Sequence, residues 1–123
     1  MPRIKDGFKG ERAIVLPAFL IEELKQDPLG SELYITDIGY YPHAYFHYRK
    51  RDTEEVTEFI LIYCMEGEGW FELDKHQYAV TANQFFILPE HQAHAYGSNE
   101  ENPWTIYWIL SLIHISEPTR LLS

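Results

Sequence analysis

Positive charge is scarce in this chain: 10 Lys and Arg stand against 19 Asp and Glu, for a formal net charge of −9. A nucleic-acid surface needs clustered Lys and Arg to displace counterions from phosphates. The one dense basic run, Arg49-Lys50-Arg51, is followed at once by Asp52, Glu54 and Glu55. The residues themselves are therefore a poor DNA-binding surface. The run reads as a solvated loop, with anion binding as its second reading. Cysteine is limited to Cys64, which excludes an internal disulfide and a cysteine-built zinc site. Lying in an apolar run, it reads as an inert buried thiol. No stretch approaches the roughly 20 apolar residues of a membrane helix, so a soluble cytoplasmic protein is expected.

Length bounds the rest. At 123 residues the chain can form one hydrophobic core but not a sensor plus a separate effector module. Aromatic residues make up 15% of it, suited both to strands and to pocket walls. Residues 1–12 are polar and glycine-containing and read as a mobile arm. Ala13–Leu16 is a short apolar run stopped by Pro17, and Phe19–Lys25 has the mixed pattern of one amphipathic helix ending near Asp27-Pro28.

From Leu33 onward the pattern is one of short strands between turn residues. The alternation predicts strands at Leu33–Tyr41 and His43–Tyr48, a charged loop over 49–57, and a buried strand at Phe59–Met65. After the turn Glu66-Gly67-Glu68-Gly69, Trp70–Leu73 is expected to pair back as a hairpin. Further strands are read at Tyr78–Thr81, Phe85–Leu88, Ala93–Tyr96 and Trp104–Ile109. Such spacing indicates a β-sandwich or small barrel.

Four pieces in register make the pattern specific. They are the strand EFILIYCM running into E-G-E-G, the strand QFFILP, the triplet His94-Ala95-Tyr96 after the next loop, and Pro103-Trp104-Thr105-Ile106-Tyr107-Trp108. Together they resemble the N-terminal cupin-like, arabinose-binding-like sensor domain of AraC-type transcriptional regulators. The resemblance implies a mainly β, double-stranded β-helix or jelly-roll barrel. Residues 33–109 would form the barrel, 1–32 the arm and short helix, and 110–123 an atypical tail suggestive of truncation. It implies a small-molecule ligand, often a sugar, inside the barrel, and no cofactor. DNA would be contacted by a helix-turn-helix domain for which this chain has no room, and the full-length regulator is expected to be a homodimer.

Candidate site residues follow. By the resemblance, Tyr96, Ile106 and Trp108 occupy sugar-contact positions. Glu66 stands where the arabinose sensor has an arginine, and Ile106 where it has a polar residue, so both depart from an arabinose site. Strand parity puts Trp104, Ile106 and Trp108 on one face and Thr105, Tyr107 and Ile109 on the other. Trp108 could stack on a ligand ring while Tyr96 and a histidine such as His94 supply hydrogen bonds; the plainer reading is that these aromatics fill the core. His43, Tyr45 and His47 share a face of their expected strand and are either a second pocket wall or a solvent- or partner-facing surface.

A metal site offers an alternative. His94 follows Pro89 as a cupin ligand would, Glu58 could serve as the carboxylate, and His43 and His47 lie upstream, but the expected H-x-H position reads Asp52-Thr53-Glu54-Glu55. Hydrogen-bonded barrel histidines are the leading reading, and no enzyme is expected. A metal-dependent cupin enzyme, such as a sugar isomerase or oxygenase, is the second hypothesis, and a filled-barrel dimerisation module the third. In the leading hypothesis ligand orders the arm around residues 5–16 and so alters how a DNA-binding domain is held.

Overall fold

The computed structural model describes residues 3–27 and 33–113, so the expected tail beyond 113 lies outside the described residues. The elements are β1 (Arg12–Val15), α1 (Ala18–Gln26), β2 (Leu33–Tyr41), β3 (Tyr48–Arg51), β4 (Phe59–Glu66), β5 (Glu68–Leu73), β6 (His76–Thr81), β7 (Gln84–Leu88), β8 (His94–Ser98) and β9 (Thr105–Ile113). They form two antiparallel sheets ordered β1-β2-β9-β4-β7 and β3-β8-β5-β6. From β2 onward the chain changes sheet at nearly every connection, so the sheets enclose one core as in a jelly roll, the expected class.

The enclosed face follows from period-two alternation. In β4, Ile60, Ile62 and Cys64 are buried while their neighbours are partly exposed. Phe86 and Leu88 of β7, Tyr96 of β8, and Trp104 and Ile106 complete the core. The expected parity of the last strand is observed, with Trp104 and Ile106 buried and Tyr107 exposed. That strand runs beyond Ile109 to Ile113, pairing with β2 on one side and β4 on the other.

The thiol of Cys64 is wholly buried and donates to the Glu66 carbonyl. Burial pushes its pKa up, consistent with an inert core group.

Three local expectations are corrected. First, His43–Tyr48 is not a strand. His43 and Phe46 have φ of 43° and 60°, and the segment folds into turns after Pro42. These turns bury Ala44 and His47 but leave His43 and Tyr45 exposed, so the three nominated residues share no face. Second, β5 does not pair back on β4. A bulge between Cys64 and Glu66 and a left-handed Gly67 (φ 77°) turn the chain through a corner into the other sheet. There β5 pairs with β6 and β8. A Cβ on Gly67 would lie 2.2 Å from the Pro103 carbonyl oxygen, so backbone packing demands glycine at the corner. Third, Arg49–Arg51 is not loop but strand, paired with β8 in the register Arg49↔Tyr96 and Arg51↔His94.

The N-terminal arm is docked. The Ile4 amide donates to the Phe46 carbonyl and the Tyr48 amide to the Ile4 carbonyl. Phe8 packs against the rings of Tyr41 and His47, with centroids 5.0 and 5.3 Å away. β1 then continues the first sheet beside β2.

Trp104 occupies the centre of this packing and closes over Gly69, whose absent Cβ would fall 2.0 Å from its ring. Replacing Gly69 with Ala should lower stability by about 1–3 kcal/mol or more through overpacking. Urea denaturation followed by far-UV circular dichroism measures this, and an unchanged midpoint would contradict the packing described.

Candidate ligand-binding site

One end of the barrel opens into a cavity of about 270 Å³. That is near the low end of small-molecule sites, roughly 300–1,000 Å³. Its walls come from both sheets. The five-stranded sheet contributes Tyr41, Ile60, Ile62, Ile106 and Trp108, and the facing sheet contributes Arg49, Arg51 and Tyr96. His47 enters from the turn before β3. Lys5, Asp6 and Glu11 of the arm and Ala13 of β1 complete the lining. Arm and barrel therefore share one surface.

The polar groups are held by identifiable bonds. The indole Nε1–H of Trp104 donates to His47 Nδ1 at 3.1 Å. Indole nitrogen is donor only, so this contact places the imidazole proton on Nε2. On the facing strand, Arg51 Nη1 donates to Tyr96 Oη at 3.1 Å and contacts His94 Nε2 at 3.2 Å. A guanidinium cannot accept, so His94 Nε2 is the acceptor and its proton sits on Nδ1. That Nδ1 is buried near the Gln92 backbone but closes no hydrogen bond.

Trp108 lies against Gly39, where a Cβ would fall 2.2 Å from the indole. Its Nε1–H is fully buried against the Gly39 backbone and has no hydrogen-bond partner among the described residues, so Trp108 offers the cavity ring surface rather than a donor.

Electrostatically the cavity has two ends. Burial, then the positive charges of Arg49 and Arg51, pull the His47 pKa down to about 3. Burial, then Arg51, lowers His94 to about 4. Tyr41 is raised to about 12 by burial, then by Glu11 and Asp6. The β3 side thus carries two arginines beside neutral histidines, and the arm side carries two carboxylates, Asp6 and Glu11, against one cation, Lys5.

Of the nominated residues, Tyr96, Ile106, Trp108 and His47 meet at this cavity. His94 stands behind them, in ring contact with Tyr96 and tied to Arg51. Glu66 is exposed at the end of β4, and His43 and Tyr45 are exposed on the turn; none of the three lines the cavity. Glu58 accepts a hydrogen bond from Thr36. Among the described residues, no three His, Cys, Asp or Glu side chains group as metal ligands. Sequence reasoning missed Tyr41, gave Arg49 and Arg51 only a secondary anion-binding reading, and named the arm as a segment ordered by ligand without nominating its residues as lining. The available signal was alternation: Arg49 and Arg51 flank Lys50 as two same-face positions of a strand would.

Both histidines are neutral when folded. Below the ordinary histidine pKa of 6.5 the unfolded chain takes up protons that the native chain refuses. Stability should be full above pH 6.5 and fall as pH drops toward 4, by up to roughly 1.4 kcal/mol per pH unit per histidine. Urea midpoints at pH 7 and pH 5 measure the loss. His94→Gln should reduce the slope by about half, and a flat wild-type profile would refute the neutral assignment.

Comparison with known proteins agrees with this architecture. Residues 38–111 match the family described as AraC-like ligand binding domain. The chain is 36% identical over 97 residues to the MmsAB operon regulatory protein of Pseudomonas aeruginosa, covering 76% of this chain and 31% of that protein. It is 30% identical over 80 residues to the lactose operon transcription activator of Staphylococcus xylosus, covering 65% of this chain and 25% of the relative. The chain thus spans about a third or less of these relatives. Among solved structures, the Cnp3 cupin domain of Schizosaccharomyces pombe superposes with a TM-score of 0.56 at 9% identity, over 90% of this chain and 69% of that one. That likeness shows a cupin fold.

Proposed function

This chain belongs to the AraC-like ligand binding domain family, and from that premise we propose that its barrel-end cavity binds a small saccharide-class ligand and reports occupancy through the N-terminal arm. The family makes the chain a ligand-sensing regulatory domain. The observation that carries the mechanism is the shared lining. Lys5, Asp6 and Glu11 of the arm face the same space as Tyr96, Ile106 and Trp108 of the barrel. A ligand filling that space contacts both, so its affinity differs between arm-docked and arm-free states. That difference is the free energy a switch requires.

A saccharide fits the mixture of groups. Trp108 and Tyr41 offer apolar ring surface, while the Tyr96 hydroxyl and the arm carboxylates can exchange hydrogen bonds with ring hydroxyls. In the whole regulator, DNA would be bound by a separate domain and the active form would be a homodimer. The relatives, an operon regulatory protein and a transcription activator, support the regulatory setting. The acidic charge of this chain keeps the sensor itself off the phosphate backbone. Binding without turnover is the reading supported by regulatory relatives.

Thermal-shift screening against pentoses, hexoses and uronic acids tests the saccharide class, since a ligand of the native state raises stability by mass action. At least one should raise the melting temperature in a saturable way. Trp108→Leu should cut that shift severely, and removal of residues 1–11 should weaken it by about tenfold or more in affinity, a coupling of about 1.4 kcal/mol. Absence of any saturable shift across the panel would reject the saccharide class.

A further inference from the structure

The arginines of β3 narrow the ligand's chemistry, resting on the cavity being the ligand site. Among the described residues, the ion pairs are Lys25–Glu22 and His91–Glu90. Neither Arg49 nor Arg51 has a carboxylate partner, although both line the cavity. The Arg51 guanidinium is held by neutral acceptors, the Tyr96 hydroxyl and His94 Nε2. Tyr96 and His94 are themselves 6% and 4% exposed, so a rigid pair of buried side chains fixes the head group. A part-buried guanidinium held in place without a counter-charge is arranged to receive an anion, and its planar fork matches a carboxylate.

The opposite end has a different character. Asp6, Glu11 and Asp37 line it with the single cation Lys5 among them, and Glu11 already accepts from the Gly7 and Phe8 amides at 2.6 and 3.0 Å. Those carboxylates repel a second anion but accept hydrogen bonds from hydroxyl groups. We propose that the cavity selects a small hydroxylated carboxylate, its carboxylate on Arg51 with Arg49 beside it and its hydroxyl end toward Asp6 and Asp37. Burial lowers the pKa values of His47 and His94 most, and the positive charges of Arg51 and Arg49 lower them further, so both stay neutral beside the arginines. A cavity of about 270 Å³ confines the ligand to roughly monosaccharide size or less. Sugar acids and short hydroxy acids share this chemistry.

Isothermal titration calorimetry separates these sources, using galacturonate and gluconate, lactate and 3-hydroxybutyrate, and the uncharged galactose and glucose. Either acid group should bind at least tenfold more tightly than the uncharged sugars. Arg51→Gln should weaken that binding on the order of 10- to 100-fold, the loss of a charge-assisted contact. Because Arg51 also braces Tyr96 and His94, Arg49→Gln is the second variant. Among the described residues Arg49 makes no side-chain hydrogen bond or ion pair that its removal would break, and its loss too should weaken binding of the acids by about tenfold. Equal binding of acids and neutral sugars overturns the carboxylate inference and leaves the saccharide reading standing. Binding of lactate or 3-hydroxybutyrate alone upholds it while rejecting the saccharide class. Failure of every compound to bind overturns both.

Discussion

The hydrogen bond from the Trp104 indole to His47 Nδ1 organises both the core and the cavity. Trp104 is fully buried between the sheets. Its amide donates to Ser98 Oγ, and its carbonyl accepts from the Ala44 amide. The same residue thus ties β8 to the turn that carries His47. His47 in turn presents its backbone to the arm and to β8, through the bridge with Ile4 and the Ser98 amide bond to its carbonyl. A buried imidazole would ordinarily be costly; here one nitrogen is satisfied and the ring stays neutral. The bond lets a buried polar side chain sit beside the apolar core and line the cavity.

From that anchor the coupling between arm and barrel follows. Phe8 closes on Tyr41 and His47, a small apolar contact rather than a deep one. β1 pairs along β2, but its four residues are all exposed, so it gains hydrogen bonds and little burial. Elements with few buried apolar contacts open at low free energy. An arm held this lightly over a cavity can be shifted by a modest ligand interaction. A deeply buried arm could not.

The strands most legible in the sequence were those whose alternation is written in apolar residues. The parity of Trp104, Ile106 and Trp108 survives in the structure because all three turn into the space between the sheets, Trp104 and Ile106 within the core and Trp108 packed against it. Arg49–Arg51 was hidden because a strand lining a polar cavity carries charge on its inward face, which reads as solvated loop. The sheet change at Gly67 was hidden for another reason. A glycine between two strands signals a tight turn, but whether the chain returns to the same sheet depends on the Pro103 backbone it meets 36 residues later. Such long-range contacts leave no mark in local periodicity. His43 and Tyr45 alternate correctly with His47, yet left-handed turns at His43 and Phe46 override the pattern. Glu66 occupies an aligned position, but the bulge beside it leaves the side chain in solvent.

The distribution of charge resolves an apparent conflict in the chain. An overall charge of −9 would repel an anionic ligand, yet the cavity's β3 wall holds two arginines next to neutral histidines. At physiological ionic strength the field of distant surface charges is screened over about 8 Å, whereas part-buried groups are screened far less. A ligand at the cavity therefore responds mainly to Arg49, Arg51, Asp6 and Asp37, not to the acidic exterior. In the proposed binding mode an anion would neutralise the β3 wall while its hydroxyls met the carboxylates on the arm side. Local charge, rather than net charge, is then the quantity that would govern both entry and the response of the arm.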